Sequence, residues 1–208
     1  MKDLTPSLGA QLSSLLLTPE QAASLDVHGR TDAAVLVPLF ERDGELHAVF
    51  TRRRDDLRRH AGEISFPGGR QDPGEDLPDT ALREAHEEIG LDPAGVELVG
   101  ALAPTPTVVT SYAIYPFVGT IEPGRRWRPS AAEVAEVLEL SLPRLLDGHS
   151  RKRLIRRGVP FRTDVYETGG HLIWGATARI LSDLFERLEP LLRDGGRGRP
   201  ASGPAVRR

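Results

Sequence analysis

Gly69-Arg70-Gln71-Asp72-Pro73-Gly74-Glu75-Asp76-Leu77-Pro78-Asp79-Thr80-Ala81-Leu82-Arg83-Glu84-Ala85-His86-Glu87-Glu88-Ile89-Gly90-Leu91 carries the signal that decides the fold of this chain. After a Pro73-Gly74 loop, the pattern predicts a helix that starts near residues 76–78 and ends at Ile89. Gly90 then stands where helices favour a left-handed residue. On that helix Glu84, Glu87 and Glu88 lie three and four apart, a spacing that gathers three carboxylates on one face. Carboxylates held together repel one another, and a hard cation such as magnesium, which favours oxygen ligands, relieves that repulsion. The helix therefore reads as a metal holder. Ala81, Leu82, Ala85 and Ile89 supply its apolar side.

The spacing is Gly69, five residues, Glu75, seven residues, then Arg83-Glu84-Ala85-His86-Glu87-Glu88-Ile89-Gly90-Leu91. Position for position, this resembles the signature of the Nudix hydrolases. Just upstream, Thr51, Arg53, Arg58, Gly62 and Phe66-Pro67-Gly68-Gly69 fall where the coenzyme A diphosphatase branch of that family has an additional motif. Arg54 departs from it, since the branch usually has Ser there, and Val49-Phe50 replaces a Leu-Leu pair. Ile173-Trp174-Gly175-Ala176-Thr177-Ala178-Arg179-Ile180-Leu181 is also similar to this branch, so the resemblance spans about residues 33–192.

Around the central stretch, residues 33–40 are an apolar run of strand length. Asp43-Gly44 then marks a hairpin turn into residues 46–51. Further strands are expected at 96–102, 112–121, 134–140 and near 171–174, with helices at 19–25, 142–146 and 176–192. Ile180, Leu181, Leu184, Phe185 and Leu188 recur at helical spacing and predict core packing for the last helix. The stretch from Leu8 to Leu17 predicts a short docking helix, within an N-terminal helical extension over 1–30. Residues 31–192 form the expected domain, and the Gly-, Pro- and Arg-rich stretch 193–208 has the composition of a disordered tail. Alternating strands and helices predict an α/β (α+β) fold, a mixed sheet between helices, which is also the α/β/α sandwich that the Nudix resemblance implies.

Composition narrows the function. With 27 Lys and Arg against 30 Asp and Glu, the formal net charge of -3 gives no global attraction to nucleic acid or to anionic membrane. No cysteine is present, which excludes thiolate nucleophiles, zinc-thiolate sites and disulfides. The apolar N-terminal stretch is interrupted by Gln11, Ser13 and Ser14 and falls far short of the ~20 residues of a spanning helix. Cytoplasmic location, no membrane and no nucleic-acid partner are the expectations. The six histidines show no paired ligand spacing.

The resemblance implies that the carbonyl of Gly69 joins Glu84, Glu87 and Glu88 around magnesium or manganese, and that Arg83 orients the acids and pairs with Glu75. A plain structural salt bridge is the other reading of that pair. Nudix enzymes often carry the catalytic base outside the signature. The candidates are Glu87, Glu88 and Glu133, with Glu136 behind Glu133; both of the latter could instead simply solvate a strand start. Guanidinium forks suit phosphate oxygens, which makes Arg52, Arg53, Arg54, Arg58 and Arg59 candidates for substrate. Strand alternation sends Arg53 away from Arg52 and Arg54, Asp55 and Asp56 can neutralise neighbours, and Arg53 and Arg58 match the branch motif. The resemblance implies hydrolysis of the diphosphate in coenzyme A or acyl-coenzyme A. Diphosphatase action on ADP-ribose, NADH or a dinucleoside polyphosphate is the alternative, and a nucleotide-sensing module without turnover is another.

Overall fold

The structure is a computed structural model and describes residues 7–25, 27–57, 61–107, 111–156 and 158–195. Its central strand, β1 (Thr31–Arg42), is buried throughout residues 33–40 because it is covered on both faces. Alternate side chains divide between two cores. Val35, Val37 and Leu39 pack with Leu12, Phe50 and Leu181, while Ala34, Leu36 and Phe40 pack with Ala81, Ala85 and Ile89.

Asp43 and Gly44, both at positive φ (53° and 74°), form the two-residue turn into β2 (Glu45–Arg53). β2 pairs antiparallel with β1, with the short β3 (Ile64–Ser65) and with β8 (Val134–Ser141). β4 (Gly68–Arg70) lies antiparallel to the start of β1. On the other side β7 (Tyr112–Ile121) runs parallel to β1 and is flanked antiparallel by β5 (Val96–Ala101) and β6 (Thr105–Pro106). One parallel pair among antiparallel ones makes the eight-stranded sheet mixed.

The helices are α1 (Leu8–Ser13), α2 (Pro19–Ala23), α3 (Leu77–Ile89), α4 (Leu142–Asp147) and α5 (Gly175–Gly195). α3 covers one face of the sheet and α5 the other, which gives the expected sandwich. α1 docks through the buried Leu12, and Leu17 exchanges two backbone hydrogen bonds with Ala101. α2 opens with a capping box between Thr18 and Gln21, and it stops at Ala23, two residues before the expected end.

Two expectations need correction. The strand near 171–174 is not part of the mixed sheet; as β11 (His171–Trp174) it pairs with β10 (Val159–Thr168), which pairs with β9 (His149–Arg156), in a separate three-stranded sheet. β9 and most of β10 lack apolar alternation, since Arg151, Lys152 and Arg153 face solvent, so no strand signal stands out in 149–168. The small sheet is held by Tyr166, whose ring lies 5.3 Å from that of Phe185 and whose hydroxyl is 2.9 Å from that of Ser182. Secondly, α5 continues to Gly195 rather than ending at 192, so the backbone of 193–195 is helical. Residues 196–208, the rest of the expected tail, lie outside the described residues.

Phe66 couples this core to the segment that follows it. It stacks on Phe50 at 4.5 Å between centroids, and the next carbonyl, of Pro67, accepts a 2.9 Å hydrogen bond from Leu36 N–H. Replacing the fully buried Phe66 by Ala should cost about 3–5 kcal/mol. Urea titrations should show a lowered midpoint with an unchanged slope. A midpoint equal to wild type would remove Phe66 from the anchoring of β4.

Candidate active site

α3 begins after Asp76 with Pro78 in its first turn and ends at Gly90, which is left-handed at φ 70°. Both ends lie where the sequence places them. Ala81 and Ala85 are fully buried and small, so the helix comes close to β1. That approach brings Glu84 and Glu88 against β4, while Glu87 stays exposed. A Cβ on residue 69 would lie 2.4 Å from the carboxyl carbon of Glu84, so any larger residue there would displace that carboxylate.

The acids differ in their surroundings. Glu88 is only 7% exposed and its carboxylate accepts from Gly68 N–H at 3.3 Å. Burial is the main cause that pushes its pKa up to about 7, against the lowering effect of the Gly68 hydrogen bond; Glu84 and Glu133 raise it further. The Glu84 carboxyl is raised chiefly by burial as well, with Arg83 opposing. Glu87 is more exposed and meets Arg83 Nη1 at 3.4 Å.

Arg83 organises the group. Its Nε and Nη2 donate to the two oxygens of Glu75 at 2.8 and 3.1 Å, Nη1 donates to Glu84 at 2.9 Å, and Nη2 also reaches the carbonyl of Arg70 at 3.1 Å. Paired first with Glu75, its guanidinium is held above its ordinary pKa. Thr80, fully buried, donates a further 2.7 Å hydrogen bond to Glu75; sequence reasoning overlooked it because a lone Thr in a first turn carries no distinctive signal. His86 is exposed, as a surface residue.

Among the described residues no three acidic or imidazole side chains converge on a single ion-sized point, because Arg83, Arg53 and Gly68 N–H draw the carboxylates apart. Their chemistry nonetheless fits a hard divalent cation. All the donors are oxygens, and the buried, half-compensated Glu88 stands beside Glu84 and the tight approach at Gly69.

The upstream arginines separate as alternation requires. Arg52 pairs with Asp55 at 3.1 Å and with Glu136 at 3.4 Å, and Arg54 pairs with Asp56 at 2.7 Å. Arg53 turns the other way, 3.9 Å from Glu88 and 3.5 Å from Glu133, with its Nε buried and without a hydrogen-bond partner among the described residues. The β2–β8 register shifts between Arg52 and Arg53, a bulge that leaves Glu136 opposite Arg52 and Val134 opposite Arg53. Glu133 is thus brought to the acids and Glu136 is not. Arg58 and Arg59 lie outside the described residues.

Beside the acids opens a cleft of about 800 Å3 between the two sheets, touched by Arg53, Gly69, Tyr112, Phe161, Trp174 and Arg179. Thr107 lines it too, whereas Thr105 is buried. Its walls come from segments far apart in sequence. Arg53, Phe66, Gly68, Gly69 and the stretch 173–181 carry a signal in the sequence, whereas Tyr112 and Phe161 do not.

The fold and site are a mixed sheet between helices with a carboxylate helix against a glycine strand. The NUDIX domain model matches residues 30–157. An uncharacterized Nudix hydrolase NudL of Enterobacter sp. (strain 638) is 37% identical over 172 residues, covering 81% of this chain and 88% of the relative. That of Salmonella paratyphi B is 38% identical over 155 residues, covering 73% and 80%. Among solved structures, a MutT/nudix family protein from Enterococcus faecalis shares the fold, with a TM-score of 0.54 at 14% identity over 89% of this chain and 70% of that one. The chain belongs to the Nudix hydrolases, enzymes that act on phosphoric anhydrides.

The Arg83 pairing has a consequence for acid stability. Arg83, helped by Thr80, holds the Glu75 carboxyl at about 2 against an ordinary 4.5. A folded-state pKa below the unfolded one stabilises fully above the unfolded value and is lost as pH falls through the folded one. Urea midpoints of wild type should therefore drop more steeply between about pH 5 and pH 2 than those of Glu75→Gln, which starts lower. Parallel curves would show that the ionisation of Glu75 contributes nothing to stability.

Proposed function

We propose that this chain is a magnesium- or manganese-dependent diphosphatase that cleaves coenzyme A or acyl-coenzyme A to 3',5'-ADP and (acyl-)4'-phosphopantetheine. The observation that carries the reading is the delivery of Arg53, a residue of the branch motif, to the junction of the carboxylates and a cleft of about 800 Å3. That volume lies in the range of small-molecule sites. Residues 31–192 are the proposed catalytic domain, 1–30 a docked extension, and the cytoplasm the proposed location. No described helix is long and apolar enough to cross a membrane.

Glu84, Glu87, Glu88 and the carbonyl of Gly69 are the residues that would hold the metal. A divalent cation bound there neutralises phosphate charge and lowers the pKa of water. Arg53 holds a diphosphate oxygen through its guanidinium, and Arg58 is assigned to substrate by the motif alone. Arg83 fixes the acids against β4. Glu133 is the favoured base: its carboxylate stands next to Arg53 and raises the pKa of both Glu84 and Glu88 by its charge, which supports its taking a proton at the acids. It accepts the proton as water attacks phosphorus and the P–O bond of the anhydride breaks. Glu87 and Glu88 remain the alternative bases.

Substrate class is tested by hydrolysis of a panel resolved by chromatography, in which coenzyme A should give the highest kcat/KM. A higher value for ADP-ribose or NADH would replace this reading with the other diphosphatase one. The metal assignment is tested by Glu88→Gln. Removing one of several repelling carboxylates should leave the metal-free protein as stable as wild type, or slightly more so. Turnover should fall by about 100-fold or more, the scale for loss of one charge-stabilising group. Magnesium should raise the melting temperature of wild type more than that of the variant. A variant with full turnover and the full magnesium shift would exclude Glu88 as a ligand.

A further inference from the structure

The cleft between the two sheets combines two features that the hydrolysis of a diphosphate does not by itself require. Its walls are aromatic, with Tyr112, Phe161 and Trp174 on them, the last two with ring centroids 6.0 Å apart. It also holds a cation away from the acids. Arg179, on the first turns of α5, donates from Nη2 to the carbonyl of Pro106 at 2.6 Å, and no carboxylate pairs with it among the described residues. Its side chain is solvent-exposed overall, and the partial burial it does have is the one cause that lowers its guanidinium pKa. A cation in that position leaves further N–H donors for an anion.

The sheet register sets how far this cation lies from the metal-holding strand. Arg70, Ala33, Ile114 and Thr105 occupy one row across β4, β1, β7 and β6. Three strand spacings separate the ends of that row, about 14 Å. Gly69 stands next to one end and Pro106, which anchors Arg179, next to the other. A single diphosphate cannot touch both. A nucleoside with a 5'-diphosphate and a separate phosphomonoester can, with its base against the aromatic wall.

We propose that Arg179 is a specificity-determining residue that binds the 3'-phosphate of the substrate, and that the cleft takes the nucleotide half while the pantetheine end leaves toward solvent. This assignment rests on the diphosphatase reading above and names which half of the substrate occupies which place. A pantetheine chain offers that guanidinium only neutral amide and hydroxyl acceptors, a weaker match than the charge-assisted bonds of a phosphomonoester, which favours the nucleotide half there.

The experiment uses 3',5'-ADP and 5'-AMP as probes with the full chain. Trp127→Phe leaves Trp174 as the sole tryptophan, so its fluorescence reports binding in the cleft. Wild-type residue 179 should give 3',5'-ADP a preference over AMP of roughly 10- to 100-fold, the size of a charge-assisted hydrogen bond. Arg179→Gln should bring that ratio toward unity with AMP affinity unchanged, while Arg179→Lys, which keeps the charge, should restore part of it. In hydrolysis, the coenzyme A to dephospho-coenzyme A ratio of kcat/KM should fall in Arg179→Gln through KM, with kcat kept. Melting curves identify which variants are folded, and Lys serves where Gln is not.

A folded Arg179→Gln protein that keeps the wild-type preference overturns the assignment, as does a wild type that binds both probes equally. A variant that changes only the preference among acyl chain lengths also overturns it, by placing the other half of the substrate in the cleft. If coenzyme A is not hydrolysed yet the preference for 3',5'-ADP still depends on Arg179, the proposed function falls and the phosphomonoester site stands.

Discussion

Arg83 is the interaction on which the site depends. One guanidinium bonds to Glu75 in the loop, to Glu84 and Glu87 on its own helix, and to the carbonyl of Arg70 on β4. Loop, strand and helix are thereby fixed to one planar group, whose rigid fork can satisfy several acceptors where a lysine could offer only a point charge. The arrangement also tempers an electrostatic problem. Glu84 and Glu88 are each raised in pKa by burial and by the other acids, and Arg83 and Arg53 are the cations that oppose this. Ala81 and Ala85 make the geometry possible, since larger side chains would hold α3 away from β1 and carry Glu88 out of reach of Gly68 N–H.

What the sequence discloses follows from how local each signal is. α3 is legible to the residue because its caps, its apolar face and its acids repeat within four turns. The split of Arg52 and Arg54 from Arg53 is legible for the same reason, since a strand sends neighbours to opposite faces. β9 and β10 are not. Their stability comes from pairing with each other and from a few contacts such as Tyr166 on Phe185, while their outward faces carry the charges of a loop. The choice between Glu133 and Glu136 also needed tertiary information, because it rests on which face of β8 meets Arg53 and on a bulge at that point. The cleft is the least legible element. Residues of β1, β7, β10 and α5 meet there only after the second sheet has folded over the first.

Electrostatic satisfaction is uneven across the molecule, and the unevenness marks function. Away from the acids, charges pair locally: Arg52 with Asp55, Arg54 with Asp56, Lys152 with Glu167, Arg187 with Asp183. Exposed pairs of this kind contribute little to stability. At the cleft the pattern changes. The Nε of Arg53 is buried without a partner among the described residues, and Glu88 is held near neutrality by burial. An unsatisfied buried donor costs about 1–3 kcal/mol, and buried polar groups are otherwise almost always paired.

Arg125 Nε and Ser150 Oγ are likewise buried without partners among the described residues, away from the cleft, but Arg53 and Glu88 stand side by side with complementary signs. Along β4 the buried acids call for a cation, and next to them Arg53 offers a donor for an anion; across the sheet Arg179 offers a second, anchored on Pro106. In the proposed reading a diphosphate ester with a remote phosphate would supply anions at both, and a bound divalent cation would compensate the acids. Selectivity would then follow because a ligand that satisfies only one of these groups leaves the others unpaired. Aromatic walls between the two ends would strengthen each of those interactions by lowering the local dielectric. On this argument selectivity for a doubly anchored substrate is a property of the spacing between β4 and β6, set by the sheet register, rather than of any single arginine.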